Sequence, residues 1–328
     1  KKLINNYNLE VDKLKKQGIT IGSKSAIQLL DMDPTRIKWT SSLEQKAINQ
    51  IKIHYEESSM VKTLYRPYTK KWMYYQKDLI HRPSKYLKHW GKDNIVLETT
   101  GKGISKKFST LVSDLIPNYH TLDTGQGFMR YDNEIKPNEL FEIDRDNITN
   151  SFAEKIDLSK NDVFSYIYGL LSSKEFQNKY ANDLKKDLAR IPIVRNKEKY
   201  VEIGKKLIDL HINYEQVPVY DNVELVRTGM TNYQVKKMKF SKKRNEEGKR
   251  IDDKSTIMFN DSITISNIPE KAYKYVVNGK SAIEWIMDQY QVKMDKKSGI
   301  TDDPNDYSDD PKYIFNLLLR IINVSVQT

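Results

Sequence analysis

Apolar positions along this chain change their period several times, and each change marks a different kind of element. Leu3, Tyr7, Val11 and Leu14 recur at helical spacing up to Gly18, so the chain opens with an amphipathic helix. Asp33-Pro34 reads as the start of another helix. From Ile51 the pattern shortens. Segments rich in Tyr, Val, Ile and Trp (Ile51–Tyr55, Met60–Tyr65, Lys71–Gln76, Asn94–Thr99, Phe108–Ser113 and Gly127–Tyr131) alternate with Gly, Pro, Asp and Asn, as sheet strands do. A polar stretch, Asn138–Asn150, separates these from a helical regime. Ser159 with Asp162 forms a capping-box-like start, followed by Val163, Phe164, Ile167, Leu170 and Leu171 at helical spacing. A second helix runs from Ser173 to about Leu188, breaking before Ile191-Pro192. A third, Lys197–Tyr214, carries Tyr200, Ile203, Leu207, Leu210 and His211 on one broad face.

Beyond Pro218 strand-like segments return at Asn232–Phe240, Ser255–Phe259 and Ser262–Ser266, with Asn260-Asp261 as a tight turn. Asn278-Gly279 is another turn dipeptide, and Ser281 three residues before Glu284 is a capping box for a helix through Ile283, Ile286 and Met287. Asp310-Pro311 marks a last helix, with Pro in the first helical position. Between these two helices, Asp295–Asp309 has no apolar face and is expected to be an ordered polar surface loop. The pattern predicts an α+β fold in which mixed sheet segments flank a central helical layer. Residues 1–137 form a mixed α/β part, and residues 138–328 a helical block with a C-terminal α+β part. No repeat of fixed period is present, which disfavours a solenoid.

Composition narrows the function classes. The 328 residues suffice for one large domain or two ordinary ones. Lys and Arg number 55 against 44 acidic residues, a net charge of +11, which favours an anionic partner such as nucleic acid over an acidic protein or membrane surface. Only eleven of the 55 are Arg, so most positive charge is Lys, which attracts phosphate as a point charge without reading guanine edges in bidentate fashion. No Cys is present, which excludes disulfides, thiolate zinc sites and cysteine nucleophiles and fits a cytoplasmic protein. Five scattered His show no metal-binding spacing. His211 is expected at the edge of a core, because no carboxylate or nucleophile is fixed beside it. The amino end is polar and lacks an apolar core of signal length, and Tyr313–Val326 is interrupted by Asn316, Arg320 and Asn323, so no membrane segment is expected. The chain begins without Met, so it is expected to be an excised fragment or a trimmed form of a longer protein.

Candidate phosphate-binding side chains fall in four places. Tyr65–Lys85 mixes Arg66, Lys70, Lys71, Arg82 and Lys85 with Tyr68, Trp72, Tyr74 and Tyr75. Alternation there puts Trp72, Tyr74 and Gln76 on one face and Lys71, Met73 and Tyr75 on the other, with Trp72 and Tyr74 expected to fill a core. Gly101–Lys107 (GKGISKK) has the wrong order for a nucleotide phosphate loop, but Lys106 and Lys107 suit a basic turn touching a DNA phosphate. The strongest charge run, Lys236–Arg250, offers Lys237 and Lys239 on one strand face beside Lys242, Lys243 and Arg244. Lys293, Lys296 and Lys297, with Ser298 and Gly299, are the fourth group.

Three separated blocks resemble one family. Asn278–Tyr307 (NGKSAIEWIMDQYQVKMDKKSGITDDPNDY) looks like the end of the C-terminal specificity region of Type ISP restriction-modification enzymes. Leu64–Tyr86 is similar to the Tyr-Arg-Pro-Phe stretch that follows adenine methyltransferase cores in such families, with Tyr68 in the Phe place, and Asn161–Ile193 resembles the helical block of the same region. The blocks occur in the family's order and cover most of the chain. The resemblance implies a target-recognition module for double-stranded DNA. Its partners would be methyltransferase and helicase-like domains upstream in one polypeptide, and S-adenosylmethionine, ATP and Mg2+ would serve those domains. No NPPY-like tetrapeptide, Gly-rich cofactor loop, helicase phosphate loop or nuclease cluster is present here, so this chain is expected to have no catalytic residues, cofactor or metal of its own. Two other readings stay open: a structural coupling domain that binds protein in place of DNA, and a standalone enzyme with an unfamiliar site.

Overall fold

The computed structural model describes residues 1–81, 90, 93–133, 145–230 and 232–328. It is an α+β protein whose chain divides into two compact units. The division expected near residues 137 and 138 lies outside the described residues.

One unit comprises Lys1–Lys62, Trp72–Leu87 and Lys293–Asp302. Its first helix, Lys2–Lys16, buries Ile4, Tyr7, Val11 and Leu14 against the helix Ser41–Ile48, which Thr40 caps. Asp33-Pro34 does not start a helix. Asp33 Oδ1 instead accepts the N–H and hydroxyl of Thr35 and holds a tight turn. Ile51–Tyr55 is extended but joins no ladder, because side chains of the first helix take the strand's bonds: Asn8 exchanges two with Ile53 at 2.8 and 3.0 Å, and the Tyr7 hydroxyl donates to the Ile51 carbonyl at 2.8 Å. The polar segment after Lys293 contains a small hairpin of Lys293–Met294 with Thr301–Asp302.

The other unit comprises Thr63–Lys71, Lys88–Val292 and Asp303–Thr328. Strands β1 (Met60–Arg66) and β2 (Thr69–Tyr74), of which Thr63–Lys71 belongs to this unit, form a hairpin turned by Pro67 and by Tyr68 in the left-handed region at φ +58°. Strands β3 (Val96–Thr99) and β4 (Thr110–Ser113) pair antiparallel, the short β5 (Ile116–Pro117) runs parallel to β1, and β6 (Gln126–Met129) pairs with the other edge of β3. The helical layer follows. Helix Asn150–Ile156, capped by Thr149, precedes helix Lys160–Ser172, capped by Ser159; the segment expected as one helix from Ser173 to about Leu188 is two, Lys174–Lys179 and Asp183–Lys186. Helices 160–172 and 197–212 touch backbone to backbone, since a Cβ on Gly204 would lie 1.8 Å from the Ser165 carbonyl oxygen and one on Gly169 2.3 Å from that of Tyr200.

A four-stranded antiparallel sheet then forms in the order β7 (Glu224–Arg227), β10 (Ile263–Ser266), β9 (Arg250–Met258), β8 (Lys239–Arg244). Its inner face, with Ile257, Ile263 and Ile265, packs with the helices Ala282–Gln289 and Tyr313–Gln327. Each such large apolar side chain, fully buried, contributes roughly 1.5–3 kcal/mol. The Ser281–Glu284 capping box forms in both directions. Pro311 lies in a turn two residues ahead of the last helix, which begins at Tyr313. Asn278 and Gly279, at φ +50° and +84°, make the tight turn their sequence requires. No helix among the described residues is long and apolar enough to cross a membrane.

Candidate nucleic-acid interface

The stretch from Asn232 to Met238 does not extend β8 as its alternation suggests. It is an irregular loop whose backbone is held by side-chain amides from two neighbouring loops. Asn260 Nδ2 donates to the carbonyls of Asn232 (2.6 Å) and Gln234 (2.9 Å), while its Oδ1 accepts the N–H groups of Ser262 and Ile263. Asn305 makes a reciprocal pair with the Val235 N–H and carbonyl, both at 2.9 Å, and the Val292 N–H donates to the Lys236 carbonyl at 3.0 Å. Val235 and Met238 are buried, which anchors the loop from below. Gln234, Lys236, Lys237 and Lys239 are left facing out.

These side chains line a groove of about 670 Å3 with Asn232, Asp261, Ser262, Asp303 and Asn305. Lys236, Lys237 and Lys239 have no ion-pair partner among the described residues. With Asp261 and Asp303 also on its wall, the three lysines outnumber the acids and leave the groove a net positive lining suited to phosphate. Sequence pattern pointed to Lys237 and Lys239 but missed Lys236 and the amides. The signal available was the cluster of Asn at 232, 260 and 305, whose partners are distant in sequence.

The rest of the charge run behaves differently. Lys242 pairs with Asp252 across β8 and β9, Lys243 pairs with Asp253 at 3.3 Å, and Arg244 donates to the Gly248 carbonyl at the hairpin turn. The Ser255 hydroxyl, then its N–H and the Lys243 ammonium, hold the Asp253 carboxyl below its ordinary range. These cations are exposed but already face carboxylates, and exposed pairs of this kind exchange partners at little cost.

In the β1–β2 hairpin the candidate residues have structural partners. Arg66 donates to the Tyr65 carbonyl and to Asn118 Oδ1 (3.1 Å) and lies 4.4 Å over the Tyr65 ring. Lys70 pairs with Glu215 at 2.9 Å above the Tyr214 ring, and Lys71 sits over Tyr65 and Tyr307. Arg82 lies outside the described residues. Trp72 does not fill a core: it is 62% exposed, with the Lys62 ammonium 5.4 Å over its ring. Tyr74 does pack, stacking on Tyr55 at 5.3 Å.

Lys106 is exposed, and its ammonium reaches Asn278 Oδ1 at 3.5 Å; Lys107 beside it is exposed without a partner among the described residues. The Gly101–Lys107 segment leads from β3 toward β4 and to no helix, so it lacks the geometry of a nucleotide phosphate loop. Lys296 and Lys297 are exposed on the turn of the 293–302 hairpin, where Asp295 accepts the Lys297 and Ser298 N–H groups. The groove and hairpin lysines 236–244 thus belong to the larger unit, and Lys296 and Lys297 to the smaller.

His211 is enclosed more deeply than expected for a core edge. It is buried, bonded to the Tyr168 hydroxyl (2.6 Å) and Thr328 Oγ1 (3.0 Å) and stacked on Tyr275, and burial lowers its pKa to about 3. A neutral, doubly bonded imidazole of this kind is a tie in the core. No group of three or more His, Asp or Glu able to hold a metal occurs among the described residues.

The family model for the Type ISP C-terminal specificity domain matches residues 1–317. The chain belongs to that family. Among solved structures, this specificity domain is similar to a nuclease-deletion mutant of the Type ISP restriction-modification enzyme LlaGI in complex with a DNA substrate mimic, with 42% identity and a TM-score of 0.84 over 100% of this chain and 29% of that one. It is also similar to the ATP-dependent Type ISP enzyme LlaBIII bound to DNA, with 39% identity and a TM-score of 0.83 over 99% of this chain and 20% of that one. The DrdV–DNA complex, 22% identical with a TM-score of 0.78 over 99% of this chain and 32% of that one, shares the fold. This domain therefore spans less than a third of each of these chains. A search of curated proteins found no match.

Proposed function

We infer that this specificity domain recognises a short sequence in double-stranded DNA on behalf of catalytic domains in a longer polypeptide. The observation that carries the reading is the 232–239 loop: three lysines without acidic partners and an outward glutamine, on a backbone immobilised by Asn260 and Asn305. Its mode of action divides the work. Lysines hold the duplex by phosphate contacts that carry affinity but no sequence information, while polar side chains between them reach base edges. Family membership and the DNA-bound relatives support this reading.

In the same reading, S-adenosylmethionine, ATP and Mg2+ serve a methyltransferase and a translocating nuclease elsewhere in the polypeptide, and the protein acts in the cytoplasm, where its DNA is. Adenine modification would take place in the methyltransferase, which extrudes the base. The residues described here would contribute sequence choice and no bond-making.

A second reading, a coupling domain that binds protein, draws on the outer face of the β7–β10–β9–β8 sheet. There the register aligns Val226, Thr264, Met258 and Lys239 in one row, and Val226 and Met258 are exposed. Titrating labelled duplex with the full chain at several salt concentrations separates the two. Binding with steep salt dependence and a preference for one sequence supports recognition, and absence of binding at low salt supports coupling.

A further inference from the structure

The amides that immobilise the 232–238 loop differ in what remains of their bonding capacity. Asn260 uses both its donor and its acceptor on backbone, and so does Asn305. Neither carboxamide is available to a base. Gln234 is the opposite case. Its N–H donates to Asn232 Oδ1 and its carbonyl accepts from Asn260, each at 2.9 Å, so its backbone is fixed on both sides. Its exposed carboxamide lines the groove with no hydrogen-bond partner among the described residues.

We propose that Gln234 is a specificity-determining residue, reading the major-groove edge of one adenine while Lys236, Lys237 and Lys239 engage phosphates beside it. The proposal rests on the duplex-DNA reading above and names the base that reading leaves open. Adenine presents an acceptor, N7, next to a donor, N6–H, and a carboxamide offers the matching donor and acceptor at the same spacing. Lysine supplies donors only, and the carboxylate of Asp261, also on the groove lining, supplies acceptors only, so neither matches adenine at both atoms. Position matters as much as chemistry. Buried Val235 and Met238 hold the loop in place, so Gln234 meets a base edge with little backbone ordering left to complete.

The test is selection from a randomised duplex pool by the full chain, run for the wild type, Gln234→Ala and Gln234→Glu, with affinity for bulk duplex measured alongside. The wild type is expected to select a site containing a fixed A·T pair. Gln234→Ala should lose preference at that pair alone, by roughly 5- to 150-fold, with other positions and the salt dependence retained. Gln234→Glu should shift the preference there to cytosine, whose N4–H donates to a carboxylate. The same selected site from Gln234→Ala, or a uniform loss at every position, overturns the assignment while leaving DNA recognition standing. Failure of the wild type to retain any duplex at low salt overturns the DNA reading itself and this proposal with it.

Discussion

Glu98 gives a prediction whose size follows directly from where its side chain sits. It lies in the middle of β3, 4% exposed, flanked by Leu111 on β4 and Gly127 on β6. The Thr110 hydroxyl donates to its backbone carbonyl, but its carboxyl Oε2 has no hydrogen-bond partner among the described residues. Burial alone raises its pKa from the ordinary 4.5 to about 8. Between those two values the folded chain keeps a proton that the unfolded chain releases, so stability falls as pH rises through this window. At ~1.4 kcal/mol per pH unit, the carboxyl subtracts ~3 kcal/mol at pH 7 and nothing below pH ~4.5. Glu98→Gln keeps the shape and cannot ionise. Urea unfolding at pH 4, 6, 7 and 8 should therefore show a variant nearly equal to the wild type at pH 4 and increasingly more stable above it. A difference that is constant with pH, or that closes as pH rises, refutes the reasoning.

His211 predicts the reverse dependence. Its pKa falls from the ordinary 6.5 to about 3, so protonation of the unfolded chain lowers stability as pH drops through that range; in His211→Asn the midpoints at pH 7, 5 and 4 should decline less steeply than in the wild type, on top of a loss of about 1–3 kcal/mol from the two broken hydrogen bonds. Gly204→Ala should destabilise the helical layer by at least ~2 kcal/mol, measured as a shifted urea midpoint, because the new methyl group meets the Ser165 carbonyl; an unchanged midpoint would mean the helices separate freely. Replacing Lys242, Lys243 and Arg244 together by Ala should weaken duplex binding for all sequences alike and flatten its salt dependence, whereas an unchanged salt slope in a binding titration removes the β8–β9 turn from the interface.

Much of the architecture was legible because it rests on local rules. The cap at Ser159, the capping box at Ser281, the Asn278-Gly279 turn and the apolar spacing of the first helix all act within a few residues, and each appears where the sequence puts it. The failures are long-range. Ile51–Tyr55 has strand composition, but its hydrogen bonds go to Tyr7 and Asn8, 44 and 45 residues away, so no ladder forms. The 232–238 segment alternates like a strand but is fastened by Asn260 and Asn305, and β5 joins β1 in parallel across a long connection that no local pattern announces. The candidate cations divide for a similar reason. Charge runs are visible in sequence, but Asp252, Asp253 and Glu215 decide which members are already paired, and only the fold brings those acids close.

The central claim is that a duplex lies along the groove beside Lys236, Lys237 and Lys239. Lysine acetylation footprinting of the full chain, with and without duplex at low salt, tests it residue by residue. These three lysines should lose reactivity when DNA is present, while exposed lysines of the helical layer such as Lys155 and Lys174 keep theirs. Unchanged reactivity at 236, 237 and 239 in a sample where the duplex is bound would contradict the account.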